Sequence, residues 1–440
     1  MKFFKTIKYL SIFFLIGIVS CSVQKNVLKG KNTFIDLHTT KAARDEYKKD
    51  LYNIQIAKNL SLPLSEKTES NWMDAFDAME FSLDSNEAYL PNLKSAFEQF
   101  QKRSLSFQRY LLEVVFTLYP NYFYNEVLEL TNKTDNPKIF AMEINYLKQS
   151  QDNKYNDNYY FDLLNKKFPD WESNPILFSL GTYLEKSQVN FINERPSLVD
   201  LFVNNFGRKC TVIFSLQRND RDYKGLVIIR KPDGKFLRNA DGTILNIPQL
   251  ARSITNLPSY LTNGNTPQGI FSMQGTDISK HILIGRTPNI QLVMPFETSP
   301  STFLHNKISD NIWNENLYKD LLPKSWQAYF PIWGTFYASK AGRTEIISHG
   351  TTIDPSFYVG KPYYPSTPTV GCLCANEIWS DDGTRDISDQ LALVEALNST
   401  GDVNGYVVVV ELDNKKQPVV IDEVTMDILK AESILSKNEK

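Results

Sequence analysis

Two short stretches of this chain carry residue types that can make a thiol nucleophilic. Ile346-Ile347-Ser348-His349-Gly350-Thr351 ends an apolar run on a histidine, and Thr369-Val370-Gly371-Cys372-Leu373-Cys374 sets a cysteine behind a glycine. A cysteine attacks as its thiolate, and a nearby imidazole supplies that species by taking the proton. Gly371 frees the backbone to approach a substrate, and neighbouring N–H groups can hold an oxyanion. The chain has four histidines, His38, His281, His305 and His349. Only His349 is followed by glycine after a strand-like run and lies shortly before a Gly-Cys pair. The bland alternative is a buried structural Cys372 beside an unrelated histidine.

Those residues need a framework. A strand ending in His349-Gly350 is expected, followed by a loop rich in breakers (Pro355, Gly360, Pro362, Pro365, Pro368) that closes on Gly371-Cys372. From residue 207 the apolar period is two. Strands fit Thr211–Leu216, Gly225–Arg230, Gly269–Met273, Ile290–Met294, Thr344–Ile347 and Tyr406–Leu412, with hairpin signals at Asp233-Gly234 and Asp241-Gly242. Ile387 to Asn398 reads as one helix. Upstream, from about residue 38 to residue 195, the pattern is helical: Leu93, Phe97 and Phe100, then Leu111, Leu112, Val115, Phe116 and Tyr119, form apolar stripes. Asn136-Pro137 and Asn174-Pro175 open two similar segments, each with Pro placed near a helix start, where its missing N–H costs nothing. A short solenoid-like array and a plain helical bundle both fit. The fold class is therefore α+β, multidomain: an all-α N-terminal domain over 38–205, then a β-rich domain over 206–413, then a C-terminal strand or tail over 414–440.

At this point the sequence resembles a known family. Residues from about 208 to 413 are similar to the L,D-transpeptidase (YkuD-type) catalytic domain, which carries a His-Gly and later Ser/Thr-His-Gly-Cys followed by Arg or Asn. His349-Gly350 matches the first element, and Thr369, Gly371 and Cys372 match the second. Thr266-Pro267-Gln268-Gly269-Ile270-Phe271 resembles the family's strand entry, and Gly405–Val410 its closing strand. Val370 stands where the family has a second histidine and Cys374 where it has Arg or Asn. Residues 275–343 look like an insertion. The resemblance implies acyl transfer on peptidoglycan stem peptides. Cys372 would attack the carbonyl before a terminal D-amino acid, and an amine or water would capture the acyl group. His349 would serve as base and then as acid, oriented by a backbone carbonyl near Gly350. Backbone N–H groups of Gly371, Cys372, Leu373 and Gly350 become oxyanion candidates, and Thr369 and Thr351 candidate substrate contacts. No metal or cofactor is implied. The alternatives are an L,D-carboxypeptidase using the same site, and a non-catalytic wall-binding scaffold whose helical half docks a protein partner.

The remaining features bound the setting. Lys2, Lys5 and Lys8 precede an apolar run, Leu10–Val19, and then Ser20-Cys21. That order reads as a lipoprotein signal over 1–20, a lipidated Cys21 and a tether over 21–37, which would hold the protein on a membrane, facing the periplasm. The run is short for a bilayer span. Without Cys21 three cysteines remain, Cys210, Cys372 and Cys374; an odd number in an exported chain is not a disulfide scaffold. A formal net charge of −2, with no basic stripe, argues against a nucleic-acid partner.

Overall fold

Helix caps written in the sequence set the N-terminal half. The computed structural model describes residues 34–185, 194–308 and 311–438; the expected signal segment, Cys21 and all but the last four residues of the tether lie outside them. Helix α1 (Lys41–Asp50) runs straight into a π-helical stretch, Leu51–Lys58. It is followed by α2 (Glu69–Ser82), α3 (Leu90–Glu98), α4 (Leu105–Leu118), α5 (Tyr124–Leu130), α6 (Pro137–Gln149), α7 (Asp157–Lys167) and α8 (Pro175–Leu184). The two Asn-Pro signals are N-caps. The Asn136 side chain accepts from the Lys138 and Ile139 N–H groups, and Asn174 from those of Ile176 and Leu177, each with Pro at the first helical position. Such a cap is worth about 1 kcal/mol. Helices α2, α4, α6 and α8 pack in a row, each on the next. They bury Phe76, Met79, Phe107, Leu111, Phe140, Tyr146 and Leu180 in one apolar core.

The second half is built on a single sheet. Its strands are β1 (Val212–Gln217), β2 (Gly225–Arg230), β3 (Ile247–Gln249), β4 (Gly269–Asp277), β5 (Asn289–Val293), β6 (Ser348–His349), β7 (Leu373–Cys374) and β10 (Tyr406–Glu411); β8 (Glu377–Trp379) and β9 (Arg385–Ser388) form a separate ribbon. The eight strands run in the order β3-β2-β1-β10-β4-β5-β6-β7. Pairing is antiparallel except for β1 with β10 and β6 with β7. Leu250, just past β3, exchanges two backbone hydrogen bonds of 2.8 Å with Cys374 of β7, which brings the two edges together and nearly closes the sheet.

Both faces of the sheet are buried, so its central strands read as unbroken apolar runs. Ile213, Val227, Phe271, Leu292, Leu373, Val407 and Val409 face inward against Leu393, Val394 and Leu397 of α13 (Asp389–Ser399). Phe214, Leu226, Ile228, Val408 and Val410 face outward. That outer face is covered by α9 (Leu198–Val203), α10 (Pro300–Phe303), the Tyr318–Phe336 stretch that follows α11 (Glu315–Lys319), α12 (Gly334–Lys340) and α14 (Asp422–Asn438). Trp326 and Trp333 are part of this packing.

Three expectations need correction. Residues 414–440 hold helix α14 rather than a strand or tail. Arg218, fully buried, anchors the helix by pairing with Asp413 at 2.8 Å and Glu423 at 2.5 Å. The expected strand Thr344–Ile347 is irregular, and only Ser348–His349 enters the ladder. Within the stretch read as an insertion, β5 is an integral strand between β4 and β6. The halves also share a core. Leu257, Tyr260 and Leu261, from the loop after β3, belong to the helical cluster, and Asn145 Nδ2 donates to the Tyr260 hydroxyl at 2.8 Å.

Candidate active site

Strands β6 and β7 run parallel, with Ser348 opposite Leu373 and His349 opposite Cys374. Side chains alternate along a strand, so His349 shares a face with Cys374. Cys372 directly precedes β7, two residues from the partner of His349 in the ladder.

The turn before Cys372 is held by hydroxyls. Thr369 Oγ1 donates to the Cys372 carbonyl at 2.9 Å and accepts from the Gly371 N–H at 3.0 Å, while Thr266 Oγ1 donates to the Gly371 carbonyl at 2.8 Å. Gly371 has φ +125, and a Cβ there would overlap the Arg343 guanidinium and lie 2.8 Å from the Gly264 carbonyl. A Gly371→Ala variant is expected to lose about 3 kcal/mol, combining backbone strain with overpacking. Urea titration checks this, and an unchanged midpoint would show that the turn yields freely.

The thiol is 8 % exposed. It donates to the Glu345 carbonyl at 3.5 Å and accepts from the Ile347 N–H at 3.5 Å. Glu345 itself sits at φ +62, a left-handed position that non-glycine residues rarely take and that tends to mark functional sites. Burial pushes the thiol up to about 11; the Ile347 N–H and Arg343 oppose that shift without overcoming it. Arg343 is buried behind Gly371. It donates to the carbonyls of Gly264 at 2.8 Å, Asn265 at 2.7 Å and Ser259. Burial lowers it to about 10, so it remains a cation at neutral pH.

His349 is 5 % exposed, and burial lowers its imidazole to about 4. Nδ1 lies 2.5 Å from the Gly350 carbonyl, the kind of backbone partner expected from the sequence. A carbonyl only accepts, so Nδ1 carries the proton and Nε2 keeps a free lone pair. Between about pH 4 and about pH 11 the pair is therefore a neutral imidazole and a neutral thiol. Among the described residues no hydrogen bond joins the two.

Gly350 is required for another reason. A Cβ there would overlap the carboxylate of Glu377, which sequence reasoning missed. Glu377 accepts from the Thr351 N–H at 2.9 Å, Thr287 Oγ1 at 2.6 Å and Ser388 Oγ at 2.5 Å, and it faces Arg385 at 3.7 Å. Burial pushes it to about 7. It lies in β8 with no motif around it; an acid directly before the apolar pair Ile378-Trp379 was the available clue. Arg343 was missed for the same reason, because its neighbours are far away in sequence.

The expected oxyanion donors divide. Leu373 N–H donates to the Ile347 carbonyl at 3.0 Å within the ladder, and Gly371 N–H to Thr369. Neither is free. Cys372 N–H and Gly350 N–H have no hydrogen-bond partner among the described residues. The roles suggested for Thr369 and Thr351 change too. Thr369 spends its hydroxyl on the turn. Thr351 Oγ1 accepts from Thr367 Oγ1 at 3.0 Å and the Ile353 N–H at 3.1 Å, and its carbonyl accepts from Trp379 Nε1 at 2.8 Å. Both are buried, and these hydrogen bonds hold the two turns of the site.

The other cysteines are free thiols, Cys210 and Cys374, both buried. Cys374 donates weakly to the Ala375 carbonyl at 3.7 Å, and burial pushes it to about 12. Val370 is 62 % exposed at the lip of the turn. Among the described residues no three acids, histidines or cysteines cluster as a metal site would need. Compared with models of known families, with curated proteins and with solved structures, the chain matches none.

Proposed function

We propose that this chain is a cysteine acyltransferase of the L,D-transpeptidase kind, acting on peptidoglycan stem peptides and held at the membrane by lipid on Cys21. The observation that supports the reading is that Cys372 immediately precedes β7, the parallel partner of the strand that holds His349, whose Nδ1 is engaged by the Gly350 carbonyl. The reaction runs as follows. Nε2 takes the thiol proton, and sulfur adds to the carbonyl before a terminal D-amino acid. The imidazolium returns the proton to the departing amine, leaving a thioester on Cys372. An acceptor amine or water then takes the acyl group and regenerates the thiol. The Cys372 and Gly350 N–H groups are the candidate oxyanion donors, and Arg343 adds positive charge behind the turn.

Incubation with purified tetrapeptide stems, followed by mass analysis of products, tests this. Loss of the terminal residue coupled to a new amide bond is the expected result, abolished in Cys372→Ala. Loss without a new bond would make the protein a carboxypeptidase. One observation favours a second reading, a non-catalytic wall-binding scaffold: the resting thiol is buried, protonated and hydrogen-bonded away from the imidazole. No turnover of any stem would favour that reading.

A further inference from the structure

The helical half contributes a buried carboxyl group, one oxygen of which has no hydrogen-bond partner among the described residues. Glu80, on α2, is 5 % exposed. Oε1 is that oxygen, and the residue lines a cleft of about 340 Å³ between the two halves. Two more acids stand nearby. Asp77, one turn back on α2, is exposed at the cleft. Glu113, on α4, is fully buried and takes up the neighbouring cation Arg109. Arg109 Nη1 lies 2.7 Å from both Glu113 oxygens, and Asn263 Nδ2 donates to the same group at 3.3 Å. The Arg109 guanidinium also packs on the Tyr110 ring, 4.2 Å from its centre.

Three carboxyl groups thus share one guanidinium, and that guanidinium is committed to Glu113. Burial, then the charges of Glu113 and Asp77, push Glu80 well above the carboxylate range. A buried acid with an unpaired oxygen costs free energy that a cation in the cleft would recover. Leu51, Ala78, Phe81, Ile254 and Val370 give the cleft an apolar wall, beside the polar side chains of Gln55, Thr255 and Asn263. That combination fits an aliphatic stem ending in a positive charge. The cleft also opens beside the candidate nucleophile. Thr369 and Val370 line it, and Val370 lies two residues from Cys372, roughly 7 Å of chain at most.

We propose that this cleft is a binding site for a primary ammonium or guanidinium group on an aliphatic stem, with Glu80 as its counter-ion. As a subsite for the incoming amine it rests on the acyl-transfer reading above; as a binding site it does not. It gives the helical half a role, closing one wall of the substrate channel.

Calorimetry on the full chain tests the site, with Nα-acetyl-lysine methylamide as probe and the norleucine analogue as its uncharged twin. The lysine compound is expected to bind and the norleucine compound at least tenfold more weakly. Glu80→Gln keeps the shape but turns an amide toward the ammonium, and should weaken the lysine compound by about tenfold or more. Asp77→Asn, at an exposed position where folding is not at risk, should weaken it by roughly threefold and serves if the Glu80 variant does not fold. Cys372→Ala should bind unchanged. Binding that survives while stem peptides are not turned over would leave the site standing and remove the acyl-transfer reading. Equal binding of the two probes, no binding of either, or no loss in both acid variants would overturn the site.

Discussion

Exposed to a carbapenem-type β-lactam, the protein is expected to gain one drug mass on Cys372 at a rate nearly flat from about pH 5 to about pH 9. The flatness follows from the two shifts. Above about 4 the imidazole is already a free base, and below about 11 the thiol keeps its proton. The reactive form is then the neutral pair, whose population hardly changes across that interval. In the proposed reaction the thiol proton, donated at rest to the Glu345 carbonyl, passes to His349 Nε2 as sulfur attacks. Without the imidazole the reaction needs free thiolate, a fraction that rises tenfold per pH unit below the thiol's own value. His349→Ala should therefore react two to four orders of magnitude more slowly near neutrality, the usual scale for losing a general base, and should recover steadily as pH rises. Cys372→Ala should give no adduct, and Cys374→Ala should behave as the wild type. Intact-protein mass against time reads all four. An adduct on Cys374 would reverse the assignment. A wild-type rate that climbs tenfold per pH unit, equal to that of His349→Ala, would remove the imidazole from the reaction.

Much of the framework for that pair was legible because it is local. Runs such as Tyr406–Val410 announce a doubly buried strand, Asp233-Gly234 and Asp241-Gly242 do turn at φ +81 and +86, and the two Asn-Pro caps stand at helix starts. His349-Gly350 and Gly371-Cys372 were legible as a pair because residue type and order point to one chemistry. What was not legible depends on contacts far apart in the chain. Glu377 supports the His349 turn from a ribbon of its own, and Arg343 reaches Gly371 from 28 residues upstream, so no spacing rule links them to the site. The free and occupied N–H groups depend on the register of β6 with β7, which a sequence does not state. Helix α14 was lost because Asp422–Asn438 begins with charged residues, and its apolar positions gain meaning only once Arg218 ties it to the sheet. The irregular Glu345 is the opposite case: Thr344–Ile347 has the β-branched residues of a strand, yet the thiol's acceptor sits on a left-handed kink within it.

Glu143→Gln is expected to stabilise the protein at about pH 8 and to destabilise it slightly at about pH 5. Glu143 lies on α6, fully buried in the helical core. Thr134 Oγ1 meets one oxygen at 2.5 Å, and the other has no hydrogen-bond partner among the described residues. Burial pushes its carboxyl to about 8, offset only in part by Thr134 and Lys167. An acid raised on folding favours the folded state while it is protonated. That contribution is whole below the unfolded value of about 4.5 and is lost as pH rises to about 8, a change on the order of 4 kcal/mol. Glu113 and Glu377, each at about 7, act in the same direction, so the wild type should unfold at lower urea at about pH 8 than at about pH 5. Glutamine stays neutral throughout, which removes the penalty at high pH. It still accepts from Thr134, but its amide N–H groups replace an oxygen that had no donor, at a cost of about 1 kcal/mol at any pH. The two terms have opposite signs at about pH 8, where the first is larger, and only the second remains at about pH 5. Urea midpoints at the two values decide the matter. A variant displaced by the same amount and in the same direction at both would mean that Glu143 is ionised alike in the folded and unfolded chain.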